Sequence, residues 1–136
     1  MSLTSPSLDA LGDNPLGALG ARLNIRLAST AIDGYPVLVM PVVGNTQPFG
    51  YLHGGASAVL VETAASLAAL TDFPDSLPIG SSLGIHHLAP VRSGEVETRT
   101  RCIDQRSSRA LYEVNVRHDG QLIASGRLTV VIKPRG

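Results

Sequence analysis

The chain has 136 residues, which is enough for one domain with a buried core and short for two. Its eleven basic and eleven acidic side chains cancel, so neither nucleic acid nor a membrane surface is an expected partner. The single cysteine, Cys102, excludes an internal disulfide framework and fits a reducing compartment. Because the start lacks a secretory signal pattern and the apolar stretch around Glu62 is too short and interrupted to span a bilayer, we expect a soluble cytoplasmic protein.

The first part of the chain predicts an arm, a short helix and a hairpin. Residues 1–14 carry Ser, Pro, Gly, Asp and Asn with little periodicity, which is typical of a loose arm, and residues 15–23 predict a short helix. Leu23, Ile25 and Leu27 alternate with polar residues as in a strand, and a turn then leads to the β-rich run 35–43. These two segments predict a first hairpin.

A glycine-rich loop then runs into a long apolar helix that ends near residue 71. Within it Glu62 is the only ionisable side chain between His53 and Asp72. We expect Glu62 to be substantially buried, and a buried carboxylate is costly unless it is paired or its pKa rises, so it is a candidate for chemistry. The backbone N–H groups at Gly54 lie at the positive end of the helix, which suits an oxyanion or a polarised carbonyl. The alternative is a structural glutamate tied to an arginine or a backbone amide, with glycines that only form a tight turn.

The rest of the chain predicts four further strands, over residues 79–90, 95–105, 110–118 and 121–133, separated by turn signals. Two strands, one long helix and four strands make an α+β domain whose antiparallel sheet packs around that helix. Since successive strand side chains point to opposite faces, His87 shares a face with Ile79, Leu83 and Ile85 and is expected to face the helix. An inward histidine is, by itself, more often a core residue than a catalyst. The histidines and Glu62 show no metal-ligand spacing, so no metal is expected.

The segment Gln47 to Ser57, with Glu62, Thr63 and Ser66 after it, closely resembles the hotdog-fold acyl-CoA thioesterases. The similar branch includes enzymes acting on aromatic acyl-CoA or aryl-carrier-protein thioesters, alongside the phenylacetate-pathway and 4-hydroxybenzoyl-CoA thioesterases, so a carrier protein in place of coenzyme A stays open. The resemblance extends over residues 47–133. It implies one hotdog domain over residues 1–136 that hydrolyses an acyl-CoA to free acid and coenzyme A. It implies no cofactor beyond the coenzyme A of the substrate.

The resemblance also assigns roles to individual residues. Glu62 would be the nucleophile or the general base, and the Gly54 N–H would polarise the thioester carbonyl. Gln47 and His53 would lie near the same carbonyl and the leaving group, and Ser66 would help to position water or substrate.

Further residues would hold the substrate. His87 falls where the family has an inward histidine, and Gly55 would contact the substrate beside Gly54. Gly84 and Ala89 stand where the family often has Asn and Arg, so the acyl group, aromatic or medium-chain, and part of the contact with coenzyme A stay open.

Arginines in three turns are candidates for the phosphates of coenzyme A. Arg92, Arg106 and Arg109 could make these contacts, although turn arginines are more often simply solvated.

Two functional alternatives stay open, a hotdog 3-hydroxyacyl thioester dehydratase and a non-catalytic acyl-CoA binding protein.

The geometry of the helix makes a prediction about assembly. Gly54 and Glu62 are eight positions apart, or about 12 Å along a helix, so one carbonyl cannot touch both. We therefore expect a homodimer with shared active sites, which the resemblance extends to a dimer of dimers.

Overall fold

The computed structural model of the chain describes residues 15–135, and the expected loose arm at 1–14 lies outside them. The elements in chain order are α1 Gly17–Arg22, β1 Arg26–Leu27, β2 Leu38–Pro41, α2 Gly54–Asp72, β3 Ser76–His87, β4 Glu95–Gln105, β5 Arg109–His118 and β6 Gln121–Pro134.

The six strands form one sheet in the order β1-β2-β4-β5-β6-β3, and every neighbouring pair is antiparallel. Helix α2 packs on the concave face of this sheet. Its fully buried residues Leu60, Val61 and Ala64 join the core to which β5 and β6 contribute Tyr112 and Leu128. A curled antiparallel sheet around one long helix confirms the expected α+β arrangement.

The first hairpin is much shorter than the sequence predicts, since β1 has two residues and β2 has four. Pro36 interrupts the β-rich run because it has no N–H to donate to a neighbouring strand. In contrast, β3 begins at Ser76, earlier than predicted, and contains Pro78. This proline is tolerated because, among residues 15–135, β3 is the last strand of the sheet and pairs with β6 only.

A β-bulge between Gly80 and Ser82 changes which residues of β3 face the helix. Past the bulge, Ile85 and His87 pair with Gly126 and Ala124, which are core-facing positions of β6. The expected direction of His87 is therefore correct. Ile79 lies before the bulge and pairs with Val131 on the outer face, 45% exposed, so its expected place on the face of His87 is wrong.

Helix α2 is long and apolar enough, by length and composition alone, to span a membrane, contrary to the expectation from the sequence. In this structure 61% of that span is buried within the domain. Packing against the sheet therefore explains the apolar composition of α2.

The C-terminal end of α2 is held by Asp72. Its Oδ2 accepts hydrogen bonds of 2.7 Å from the hydroxyls of both Tyr35 and Tyr112. Burial, and then the bond to Asp72, raise the pKa of each tyrosine above its ordinary value. Both tyrosines therefore stay protonated as donors, and this end of the helix is fixed to the sheet.

Candidate active site

Glu62 is exposed, so the expectation that it is substantially buried is wrong for the single chain. Helix α2 packs on the sheet through one face, and residues 15–135 leave a stripe on its other face partly open, with α1 beside it. This open stripe consists of Gly55, Ala58, Val59, Glu62, Thr63 and Ser66. Because this stripe also contains apolar residues, the sequence predicts a helix that is buried on all sides.

The Glu62 carboxylate lies against the edge strand β3. A Cβ atom built on Gly80 would be 3.1 Å from Oε2 of Glu62, so the absent side chain leaves room for the carboxylate. Within residues 15–135 this carboxylate makes no ion pair and accepts no hydrogen bond. The alternative of a glutamate tied to a structural arginine or amide is therefore not what the described chain forms.

A cleft of about 450 Å³ opens beside this carboxylate, and we call it the Glu62 cleft. Thr63 and Ser66 provide hydroxyls on its helix side. Its remaining wall is mostly aliphatic and includes Leu67, Leu70, Leu77 and Pro78. The cleft thus combines one carboxylate with an apolar surface.

Gln47 is held in a fixed orientation by the loop before α2. Its Oε1 accepts hydrogen bonds from the backbone N–H groups of Phe49 at 2.6 Å and Tyr51 at 3.2 Å. Because two N–H donors require the oxygen of the side-chain amide, the orientation of that amide is settled. Gln47 therefore keeps its NH₂ group to donate elsewhere.

The first turn of α2 uses its N–H groups unevenly. Nδ1 of His53, the N-cap residue, accepts a 2.8 Å hydrogen bond from the N–H of Gly55. The N–H groups of Ala56 and Ser57 donate to the carbonyl of His53. Within the part of the chain that the structure describes, the N–H of Gly54 has no partner, and a helix start leaves such donors for a ligand.

His53 and Gly55 are therefore occupied with capping the helix. The N–H of Gly55 is not free for a substrate, and the His53 ring lines a separate cleft with Leu23, Asn45 and Val59. Since Nδ1 accepts, the neutral ring carries its proton on Nε2. One chain does not bring His53 to the cleft of Gly54, where the resemblance places it.

A second cleft, of about 400 Å³, contains Gln47, Gly54, Ser57 and His87, and we call it the donor cleft. The His87 ring lies directly over the helix start, because a Cβ atom on Gly54 would be 2.7 Å from His87 Nε2. Among the described residues, none that lines this cleft carries a carboxylate. Its polar groups can all donate hydrogen bonds, which suits an oxygen that gains negative charge.

Ser57 is a polar residue of this cleft to which the sequence assigned no role. The available signal was its spacing of three residues from Gly54, which places both on one helix face.

The three candidate arginines lie apart in one chain. Arg92 stacks over the Tyr51 ring at 4.1 Å, at the donor cleft that Tyr51 lines. Arg106 and Arg109 flank the β4–β5 turn, and Arg106 is paired with Asp104 at 3.0 Å. Tyr112, three residues beyond Arg109, contacts the C-terminal end of α2, whereas Arg92 lies near its N-terminal end. One chain cannot use all three on one nucleotide.

A curled antiparallel sheet wrapped around one long helix is the arrangement of the hotdog class of folds. The model of the thioesterase superfamily matches residues 49–125. The 1,4-dihydroxy-2-naphthoyl-CoA hydrolase of Escherichia coli is 32% identical over 133 residues, 96% of this chain and 95% of the relative. A proofreading thioesterase of Klebsiella pneumoniae is 38% identical over 101 residues, 73% of this chain and 71% of the relative.

The crystal structure of a Haemophilus influenzae thioesterase superposes with a TM-score of 0.85 at 29% identity, covering 98% of this chain and 93% of that one. The chain belongs to the thioesterase superfamily, and it is a thioester hydrolase. The hotdog fold expected from the segment Gln47 to Ser57 is confirmed.

Proposed function

We propose that the protein hydrolyses an acyl-CoA thioester to the free acid and coenzyme A. The observation that carries this proposal is that one helix presents both parts of a hydrolytic site, hydrogen-bond donors at its start and a carboxylate two turns later. A similar relative is named as a CoA hydrolase and another as a thioesterase, which supports the substrate class.

The chemistry needs both parts at the same carbonyl. The Gly54 N–H and the Gln47 amide hold the carbonyl oxygen and stabilise its negative charge during attack. Glu62 removes a proton from water, the water oxygen bonds to the carbonyl carbon, and the carbon–sulfur bond breaks. The removed proton passes to the leaving thiolate, so that acid and thiol are released. In the nucleophilic alternative, a Glu62 oxygen bonds to the carbonyl carbon, the carbon–sulfur bond breaks and the thiolate leaves. Water then hydrolyses the anhydride, which regenerates the Glu62 carboxylate, and the proton released protonates the thiolate.

We further propose that each site combines the donor cleft of one chain with the Glu62 cleft of a second copy. Gly54 and Glu62 are about 12 Å apart along α2, and they line separate clefts. Two α2 helices packed antiparallel through their open stripes would bring the two clefts together twice. The open stripe, and the edge of β3 that residues 15–135 leave unpaired, support this arrangement. Two such dimers would form the tetramer.

The substrate would extend to both sides of this composite site. The acyl group, aromatic or medium-chain, would lie against Leu67, Leu70 and Leu77 of the Glu62 cleft, with Ser66 positioning water. The pantetheine arm would leave through the donor cleft past His87 toward Arg92, which stacks on Tyr51 of that cleft and would bind a phosphate. Arg106 and Arg109 would contribute from a neighbouring chain.

Release of free thiol from a panel of acyl-CoAs tests this proposal. Benzoyl-, phenylacetyl-, hydroxybenzoyl-, hexanoyl- and octanoyl-CoA would be compared with 3-hydroxyacyl and 2-enoyl esters. We expect at least one ester to release thiol at a rate proportional to the enzyme concentration. Interconversion of the 3-hydroxyacyl and enoyl esters without thiol release would identify a dehydratase. Binding of the esters without any reaction would identify a sensor.

A further inference from the structure

Ser57, in the first turn of α2, has a hydroxyl that the fold does not use. The residue is only 2% exposed, yet within residues 15–135 its hydroxyl makes no hydrogen bond. Two other hydroxyls of the same helix behave differently. Those of Thr63 and Thr71 donate to helix carbonyls four residues back, at 2.7 and 2.9 Å.

The reason lies in the carbonyl that Ser57 would use. Four residues back is His53, whose carbonyl oxygen already accepts the N–H groups of Ala56 at 3.0 Å and of Ser57 itself at 3.2 Å. A carbonyl oxygen has two lone pairs, so a third donor finds no place. In the described part of the chain, Thr100 Oγ1 is the side-chain oxygen that lacks both a partner and solvent. The Ser57 oxygen is not in that state, since it opens on the donor cleft.

The direction of the side chain relates it to Gly54. Helical side chains lean toward the N-terminus and cover the preceding turn. Ser57 follows Gly54 by three residues on the same face, so its hydroxyl leans toward the free N–H of Gly54. One ligand oxygen in the donor cleft can therefore reach both donors.

We propose that the Ser57 hydroxyl is a second oxyanion donor, which hydrogen-bonds the thioester carbonyl oxygen alongside the Gly54 N–H. This inference rests on the proposed function. When water attacks the carbonyl carbon, the C=O bond becomes C–O⁻ and the hydrogen bond from Ser57 strengthens. The hydroxyl keeps its proton and forms no covalent bond. Its contribution therefore appears in turnover more than in substrate binding.

The test replaces Ser57 by alanine, which removes the hydroxyl and little else. We expect kcat to fall about 100-fold with KM nearly unchanged, as for the loss of one oxyanion donor. Thr71→Val is the matched control, because it removes a buried hydroxyl near the other end of the same helix and should keep normal turnover. An S-alkyl coenzyme A, which has no carbonyl oxygen, should inhibit the wild type and Ser57→Ala with the same Ki.

Near-normal kcat in Ser57→Ala would overturn the inference. The inference would also be overturned if Ser57→Ala raised the Ki of the alkyl coenzyme A by the same factor by which it lowered kcat/KM. Ser57 would then only shape the cleft. The proposed function is judged separately by Glu62→Gln. If Glu62→Gln is inactive while Ser57→Ala is active, only the oxyanion role of Ser57 fails. If both variants hydrolyse normally, the proposed site fails as a whole.

Discussion

Mixing two damaged chains tests whether the active site is shared. Glu62→Gln damages the Glu62 cleft, and Gln47→Ala damages the donor cleft. If each site takes one cleft from each chain, a mixed dimer has one intact site and one doubly damaged site. Random exchange of equal amounts makes half of the dimers mixed, so one site in four is intact. We therefore expect about a quarter of wild-type activity from two impaired parents.

The reverse mixture supplies the control. A chain carrying both substitutions, mixed with an equal amount of wild type, starts at half of the full activity. If sites are shared, each mixed dimer has two damaged sites, so exchange should lower the activity to about a quarter. If each chain holds a complete site, the activity should stay at half.

The assay is thiol release, followed while exchange of mass-tagged chains is monitored by native mass spectrometry. Complete exchange with no gain over the mean of the two parents in the first mixture, and no loss in the second, would refute the shared site.

Three further predictions concern single residues. His53→Ala should lower the free energy of unfolding by about 1 kcal/mol because it removes the N-cap acceptor, whereas His53→Asn should keep most of that stability. Thermal unfolding measures both variants, and equal stability of these variants and the wild type would contradict the capping role. Gly80→Ala should lower kcat because its new methyl group would press on the Glu62 carboxylate at 3.1 Å. Gly84→Ala on the same strand adds a methyl group with nothing within 4 Å and should keep kcat normal. Equal turnover in the two variants would contradict this positioning. Arg92→Glu should raise KM for coenzyme A esters and spare small synthetic thioesters that lack the nucleotide; an equal effect on both substrates would remove Arg92 from the nucleotide site.

The sequence predicted the architecture because its signals are local. Glycines and charged turns separate the later strands, and their alternation of polar and apolar residues matches the burial seen in β4 and β5. The start of α2 at Gly54 and the direction of His87 toward that helix also followed from the order of the residues. These features depend on spacing along the chain, which is visible in a sequence.

The remaining features depend on contacts between distant segments. Composition could not show that the face of α2 with Glu62 is open, because an apolar residue can face either the sheet or the outside of the chain. Strand parity misplaced Ile79 because the bulge after Gly80 shifts the alternation by one residue. The free hydroxyl of Ser57 depends on how the His53 carbonyl is shared, which only the hydrogen-bond pattern of the helix start reveals.

The most direct test of the central claim is kcat of Glu62→Gln with the best acyl-CoA. The substitution keeps the shape of the side chain and removes the base, so we expect kcat to fall about 100-fold or more while KM changes little. Glu97→Gln makes the same change on the sheet, where the carboxylate pairs with Arg99 at 3.0 Å, and should leave turnover normal. A folded Glu62→Gln protein that turns over like Glu97→Gln would contradict the assignment of Glu62 to the hydrolytic step.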